Sequence, residues 1–229
     1  MNSLVRTVDG FLTESQVEFL KKEVHSMRKH WKNFKEYERW KDQPFAPYQK
    51  IQHVLGDAIY LVHVQDKGPT THEIDRALQG KLHARFSWLY ELLFIEINKQ
   101  FGVKVEFDEN LTVPAFHVFG GEEMDLSAWN LHSDMGILDY YPDVKPGEIV
   151  SFASVIQSTS EPAFLDIVIN DEHWVHNEQV EYKIGALHFW NGIIPHRIGK
   201  FSLKKDEYRI TFQGHFYIDP DTRVARVYF

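Results

Sequence analysis

From Val103 onward the sequence is cut into short apolar runs separated by turn residues: "VKVEF", "PAFHVFGG", "HSDMGIL", "VSFASVIQS", "AFLDIVIN", "HWVHNEQVEYK", "GALHFWNG", "YRITFQGHFYI" and "RVARVYF". Runs of this length, rich in β-branched and aromatic residues, read as strands, and a long series of them has to pair into a sandwich or barrel. The longest, Tyr208 to Ile218, alternates throughout. Ile210, Phe212, Phe216 and Ile218 share one face, and Arg209, Thr211, Gln213 and His215 share the other. A sheet with one dry and one solvated face explains this pattern, and so does a sheet whose polar face lines a cavity. In a cavity, Arg209 offers a planar fork matched to a carboxylate, with the Thr211 hydroxyl two positions on.

The N-terminal half has a different period. Thr13-Glu14-Ser15-Gln16 fits a capping box and opens a stripe of Val17, Leu20, Val24, Met27, Trp31 and Phe34 at helical spacing. A second helix is predicted from Thr70, with Glu73 as its box partner, through Ile74, Leu78, Leu82, Phe86, Leu89, Leu93 and Ile97 to a stop at Phe101-Gly102. Between them "AIYLVHVQD" reads as a strand. The expected class is mainly β with N-terminal helices, α+β, in a chain of 229 residues that suits one core. A single domain over 1–229 is expected, with 1–104 as a helical support region containing some strand and 105–229 as the β core.

Composition narrows the chemistry. The chain has no cysteine, which excludes disulfides, thiolate metal sites and a cysteine nucleophile, so any metal must take nitrogen and oxygen ligands. A net charge of −8 without a Lys/Arg-rich run speaks against a nucleic-acid partner. The start lacks the apolar core of a secretory signal and no run of 18 apolar residues occurs, so a cytoplasmic protein with no membrane partner is expected.

Within "WNLHSDMG", His132 and Asp134 would project from the same side of an extended segment. A motif this short also arises by chance, and it gains meaning only with a third ligand. In "FWNGIIPHRIG", His196 follows an Asn191-Gly192 turn signal. Its rival His188 lies inside an apolar run and reads better as a hydrogen-bonded core histidine. His173 and His176 fall on opposite faces of a strand, and the histidines of the N-terminal half have no ligand spacing.

Taken in order, "HSD", "PHRIG" and "RIT" resemble the signature of the iron(II)- and 2-oxoglutarate-dependent oxygenases: His-x-Asp/Glu, a distant His, then Arg or Lys followed two residues later by Ser or Thr. The resemblance implies a double-stranded β-helix (jelly-roll, cupin-like) core over roughly 105–229. It makes His132, Asp134 and His196 the catalytic metal ligands and Arg209 with Thr211 the contacts to the far carboxylate of 2-oxoglutarate. Fe(II), 2-oxoglutarate and O2 are the implied cofactor and cosubstrates, with succinate and CO2 as by-products. Because the carboxylate is present, the resemblance favours hydroxylation over halogenation. The interval from His196 to Arg209, filled by "GKFSLKKDE", is long for the family, and Arg197 is nearer; on an extended segment, however, Arg197 points away from a ligand at His196. Trp129, Asn130, His117 and Tyr140, with Tyr141, are candidate walls of a pocket for a small polar substrate such as an amino acid or natural-product intermediate. The loops "QDKGPTT" and "FGGEEMDLSAWN" are candidate lids. A cupin-like isomerase, which has no need of Arg209, and a non-catalytic binding protein of the same fold are the alternatives.

Overall fold

A computed structural model describes residues 3–33, 36–37, 47–62, 74–126, 131–171 and 174–229. The first helix, α1 (Glu14–Ser26), starts at the expected box: Thr13 caps the backbone of Gln16, and the Gln16 side chain returns to the Thr13 N–H at 2.8 Å. Val17, Leu20 and Val24 are buried on its inner face. The apolar stripe outlasts the helix. Trp31 opens β2 (Trp31–Asn33), and its indole N–H donates back to the Val24 carbonyl at 3.1 Å, so a fold-back continues the spacing that the sequence assigns to a longer helix. Phe34 lies outside the described residues.

The expected strand in "AIYLVHVQD" is corrected to a single helical turn, α2 (Ile59–Val62). Ala58 and Leu61 enter the main core three positions apart, a pairing that a strand would place on opposite faces. The rest of that segment, 63–66, lies outside the described residues, as do Thr70 and Glu73. The observed cap of α3 (Arg76–Phe101) is Asp75, whose carboxylate accepts from the Leu78 N–H at 2.9 Å. Gly102, at φ 67°, ends the helix where expected.

Among the described residues nine strands form one sheet. Its main path runs β1 (Val5–Val8), β10 (Leu187–Asn191), β7 (Ile149–Gln157), β13 (Tyr208–Ile218), β5 (Ala115–Gly120), β3 (Gln52–Leu55) and β2, with β14 (Val224–Tyr228) also paired to β13 and β4 (Lys104–Phe107) paired to β14. A second sheet orders β11 (His196–Ile198), β8 (Phe164–Asp171) and β9 (Trp174–Glu181). One face of the large sheet, with Ile210, Phe212 and Phe216, packs on the helices through Leu20, Leu82, Phe86 and Leu93. The other face meets the small sheet: Phe119, Ala153 and Val155 share a cluster with Leu165 and Ile167. The protein is thus a two-sheet sandwich with helices on its outer side, and both faces of β13 are interior. "HSDMGIL" is not a full strand: His132 forms an isolated bridge to His196, and Gly136–Asp139 is a 3-10 turn. "GKFSLKKDE" contains β12 (Phe201–Leu203), paired with β6 (Met124–Leu126), followed by a turn. No helix among the described residues is long and apolar enough to cross a membrane.

Candidate metal centre and cavity

The backbone places the first three candidates before any side chain is considered. His132 and His196 exchange N–H···O bonds of 3.0 and 2.9 Å, and the Asp134 N–H donates to the Gly192 carbonyl at 2.7 Å. Alternate residues of 132–134 are therefore stitched to the segment leading into β11, and their side chains converge. One ligand atom from each of His132, Asp134 and His196 lies within 4.8 Å of the others. His196 Nε2 stands 3.1 Å from Asp134 Oδ2, and His132 Nε2 stands 3.7 Å from Asp134 Oδ1.

The His196 ring is oriented by its other nitrogen. Nδ1 lies 2.8 Å from the Ile194 carbonyl, which can only accept, so Nδ1 carries a proton and Nε2 is the ligating atom when the ring is neutral. Burial acts to lower the His196 pKa, but the Asp134 carboxylate more than offsets it, and the net direction is up. Burial acts to raise Asp134, yet His196 and His215 hold it well below the usual carboxylate range. Two imidazoles and one carboxylate fit a divalent cation that keeps open coordination positions, as in a facial triad.

Beneath the triad runs one row of the large sheet, with Trp190 opposite Ser151 and Ser151 opposite His215. The Trp190 ring meets His196 edge-on at 5.2 Å, and the Ser151 hydroxyl donates to Asp134 Oδ2 at 2.6 Å. His215 Nδ1 is 3.0 Å from that hydroxyl. Sequence reasoning placed His215 on the polar face without a role and missed Ser151 altogether, because its importance comes from cross-strand register.

The triad opens onto a cavity of about 480 Å³ whose walls include Tyr60, His117, Gln52, Tyr182, Trp190 and Tyr228. His117 Nε2 pairs with the Tyr60 hydroxyl at 2.8 Å; burial, reinforced by His215 and Arg209, pushes its pKa down to about 3. Trp190 Nε1 and Gln52 Oε1 are buried without a hydrogen-bond partner among the described residues.

Arg209 is 1% exposed, and its Nε and Nη1 also lack partners there. Its guanidinium sits 5.2 Å from the centroid of Tyr182, a cavity wall, and 5.5 and 5.9 Å from those of Phe201 and Phe119. Burial lowers its pKa to about 10, leaving it a cation at neutral pH. The rings offset part of the charge but cannot accept in-plane N–H bonds, so the fork keeps donor capacity of the kind that suits a carboxylate. Arg197, by contrast, borders the cavity with a partly exposed side chain and pairs with Asp166 at 3.3 Å. Thr211 is buried and donates to Gln213 Oε1 at 3.2 Å, and Gln213 lines the cavity.

The remaining candidates divide. Trp129 and Asn130 lie outside the described residues. Tyr140 packs against the cluster of Ile137, Tyr217 and Tyr228 rather than on the cavity wall, and the Tyr141 hydroxyl donates to Asp108 at 3.1 Å. His188 is fully buried, with Nδ1 3.0 Å from Thr7 Oγ1.

No protein-family model and no curated protein matches the sequence. Solved structures do. The non-heme α-ketoglutarate (2-oxoglutarate)-dependent epimerase SnoN from nogalamycin biosynthesis aligns over 93% of this chain and 80% of its own at TM-score 0.56 and 14% identity. A second SnoN structure, in complex with Fe3+, α-ketoglutarate and nogalamycin RO, has a TM-score of 0.54. The α-ketoglutarate-dependent carbocyclase SnoK of the same biosynthesis covers 93% of this chain and 81% of its own at TM-score 0.52 and 10% identity. A Trichoplax adhaerens prolyl hydroxylase, bound to a hypoxia inducible factor peptide fragment, covers 96% and 85% at TM-score 0.51 and 11% identity. At such identities the likeness is one of fold: this chain has the β-sandwich architecture of non-heme α-ketoglutarate-dependent enzymes, and within it a clustered His-x-Asp…His set.

Proposed function

We propose that the protein is a non-haem Fe(II)/2-oxoglutarate-dependent oxygenase, a hydroxylase of a small polar molecule, built as one domain on a double-stranded β-helix. The observation that carries this reading is the buried Arg209 fork, whose Nε and Nη1 have no hydrogen-bond partner among the described residues, on the strand face that also holds His215, itself 3.6 Å from the triad's Asp134. His132, Asp134 and His196 would hold the iron, and Arg209, with Thr211 beside it, the far carboxylate of 2-oxoglutarate. When bound, iron with 2-oxoglutarate supplies O2 activation, and 2-oxoglutarate leaves as succinate and CO2. The chain's own residues do the rest. The Ile194 carbonyl holds His196 Nε2 toward the metal position, the aromatic box around Arg209 excludes water from the ion pair, and Trp190 Nε1 and Gln52 Oε1 remain to orient bound molecules.

A cavity of about 480 Å³ suits a metabolite-sized substrate. Asp134 is the only carboxylate on its wall among the described residues, so the ammonium of a free amino acid would have no anionic partner there. This favours a neutral, hydrogen-bonding substrate of the natural-product-intermediate kind over an amino acid. SnoN, SnoK and the prolyl hydroxylase share the fold with different reactions; the carboxylate at Asp134 favours hydroxylation over halogenation, while epimerisation and ring closure use the same three ligand types and are separated from it by product analysis.

Anaerobic titration of metal-free protein with Fe(II) and then 2-oxoglutarate is expected to give a weak visible charge-transfer band that needs both additions and is lost in His196→Ala. No band under any condition, or a band indifferent to His196→Ala, would remove the oxygenase reading and leave the cupin-like or binding-protein alternatives.

A further inference from the structure

We infer that Ser151, held by His215, is the positioning residue that fixes the Asp134 carboxylate and decides which of its oxygens is free for a cation. The inference rests on the metal-site reading above and adds residues to it. A serine hydroxyl has one proton, and an ionised carboxylate can only accept. At 2.6 Å from Oδ2, the Ser151 hydroxyl therefore donates to Asp134. With that proton committed, Ser151 Oγ can only accept from His215, so Nδ1 at 3.0 Å carries the hydrogen. The chain runs in one direction, His215 Nδ1–H to Ser151 Oγ–H to Asp134 Oδ2. Ser151 is fully buried, His215 is 9% exposed, and the two lie directly opposite in the sheet ladder, so neither has much conformational freedom to lose.

Gly192 shows independently that this arrangement is space-limited. A Cβ at Gly192 would stand 2.7 Å from Ser151 Oγ, 3.2 Å from Ile149 Cγ2 and 3.4 Å from Asp134 Cβ. Its φ is unexceptional, so glycine is needed there for room and not for backbone conformation. The same residue accepts the Asp134 N–H through its carbonyl, so Asp134 is gripped at backbone and side chain together. Oδ2 is engaged by Ser151 and lies 3.1 Å from His196, whereas Oδ1 faces His132 at 3.7 Å. A carboxylate with one oxygen already bonded ligates through the other; one freed to rotate can spend both on the cation and fill a position that the cosubstrates need.

The test uses Co(II) as a visible probe, titrated anaerobically into metal-free full-length protein. Ser151→Ala and His215→Phe are expected to lose roughly 10–100-fold in Co(II) affinity and to shift the d–d band, which a loss of packing alone would not do. His215→Asn, whose amide N–H replaces Nδ1–H, should stay within about threefold of the parent, and the Ser151→Ala/His215→Phe double variant should be no worse than Ser151→Ala, since the two act in series. If Ser151→Ala fails to fold, Gly192→Ala, which displaces the hydroxyl without removing it, must show the same loss and band shift. Parent-like affinity and spectrum in folded Ser151→Ala overturn the inference alone. Parent Co(II) binding that is absent or indifferent to His196→Ala overturns the metal site and this inference with it.

Discussion

Replacing Arg209 with methionine is expected to raise the melting temperature of the metal-free protein while weakening 2-oxoglutarate binding by roughly 10²–10³-fold. The two effects share one cause. A guanidinium at 1% exposure whose Nε and Nη1 have no hydrogen-bond partner among the described residues has left water with little compensation from them, and the effective cost of such a transfer is several kcal/mol. The three surrounding rings return on the order of 0.5–2 kcal/mol each at best. An apolar side chain of similar length keeps the packing and removes the deficit, so a gain of about 1–4 kcal/mol follows, at about 2–4 °C per kcal/mol for a chain of this size. With 2-oxoglutarate present the sign is expected to reverse, because the variant cannot form the charge-assisted pair proposed for Arg209. Differential scanning calorimetry with and without 2-oxoglutarate measures both effects. A lower melting temperature with 2-oxoglutarate binding intact would show that Arg209 serves the aromatic box and not the cosubstrate.

Acid is expected to cost the metal-free protein about 5 kcal/mol between pH 6.5 and 4.5. His117 and His188 are buried, and burial holds their pKa values down to about 3 and about 4. Across this window both stay neutral in the native state, while in the unfolded chain they protonate below their ordinary value of about 6.5. The unfolded state then binds more protons, so stability is full above 6.5 and falls as pH drops, by about 1.4 kcal/mol per unit for each histidine. His196, raised by Asp134, acts with the opposite sign: its contribution is present below its ordinary value of about 6.5 and is lost as pH rises through its folded value. Asp134, held low, contributes above the ordinary aspartate range and loses this only at still lower pH. Urea midpoints at pH 6.5, 5.5 and 4.5 measure the slope, to which His215 and His53, also lowered by burial, add in the same direction, and His188→Gln should reduce it by about 1.4 kcal/mol per unit. A flat profile would mean that these rings take up protons without leaving the core.

What the sequence made legible was periodic. Thr13–Gln16 announced α1, and the alternation of β13 named both of its faces, because a period of two or 3.6 repeated several times is a signal local chemistry can carry. The four-residue turn at Ile59–Val62 was misread because so short an apolar run fits either period. His132, Asp134 and His196 could be nominated by residue type and order, yet their convergence depends on backbone bonds between 132–134 and 192–196 that no local pattern encodes. Ser151 was invisible for the same reason: a serine near the start of a strand is ordinary until the register with β10 and β13 sets it beneath Asp134. Tyr140, close to the triad in sequence, packs beside Ile137, Tyr217 and Tyr228, a placement that only the tertiary structure supplies.

Strand β13 inserts its even-numbered residues into the helical core and its odd-numbered ones, Arg209 to His215, toward the triad side. A chain built this way has little freedom to adapt its chemistry along that strand, since a one-residue slip would exchange core for site at every position. Variation that changes what the protein acts on, whether natural or imposed by laboratory selection, should therefore accumulate at half-buried positions such as Arg197 and Ile198, whose side chains border the cavity from the three-stranded sheet. Libraries directed there should yield altered selectivity with few unfolded members, and libraries directed at β13 mostly unfolded ones.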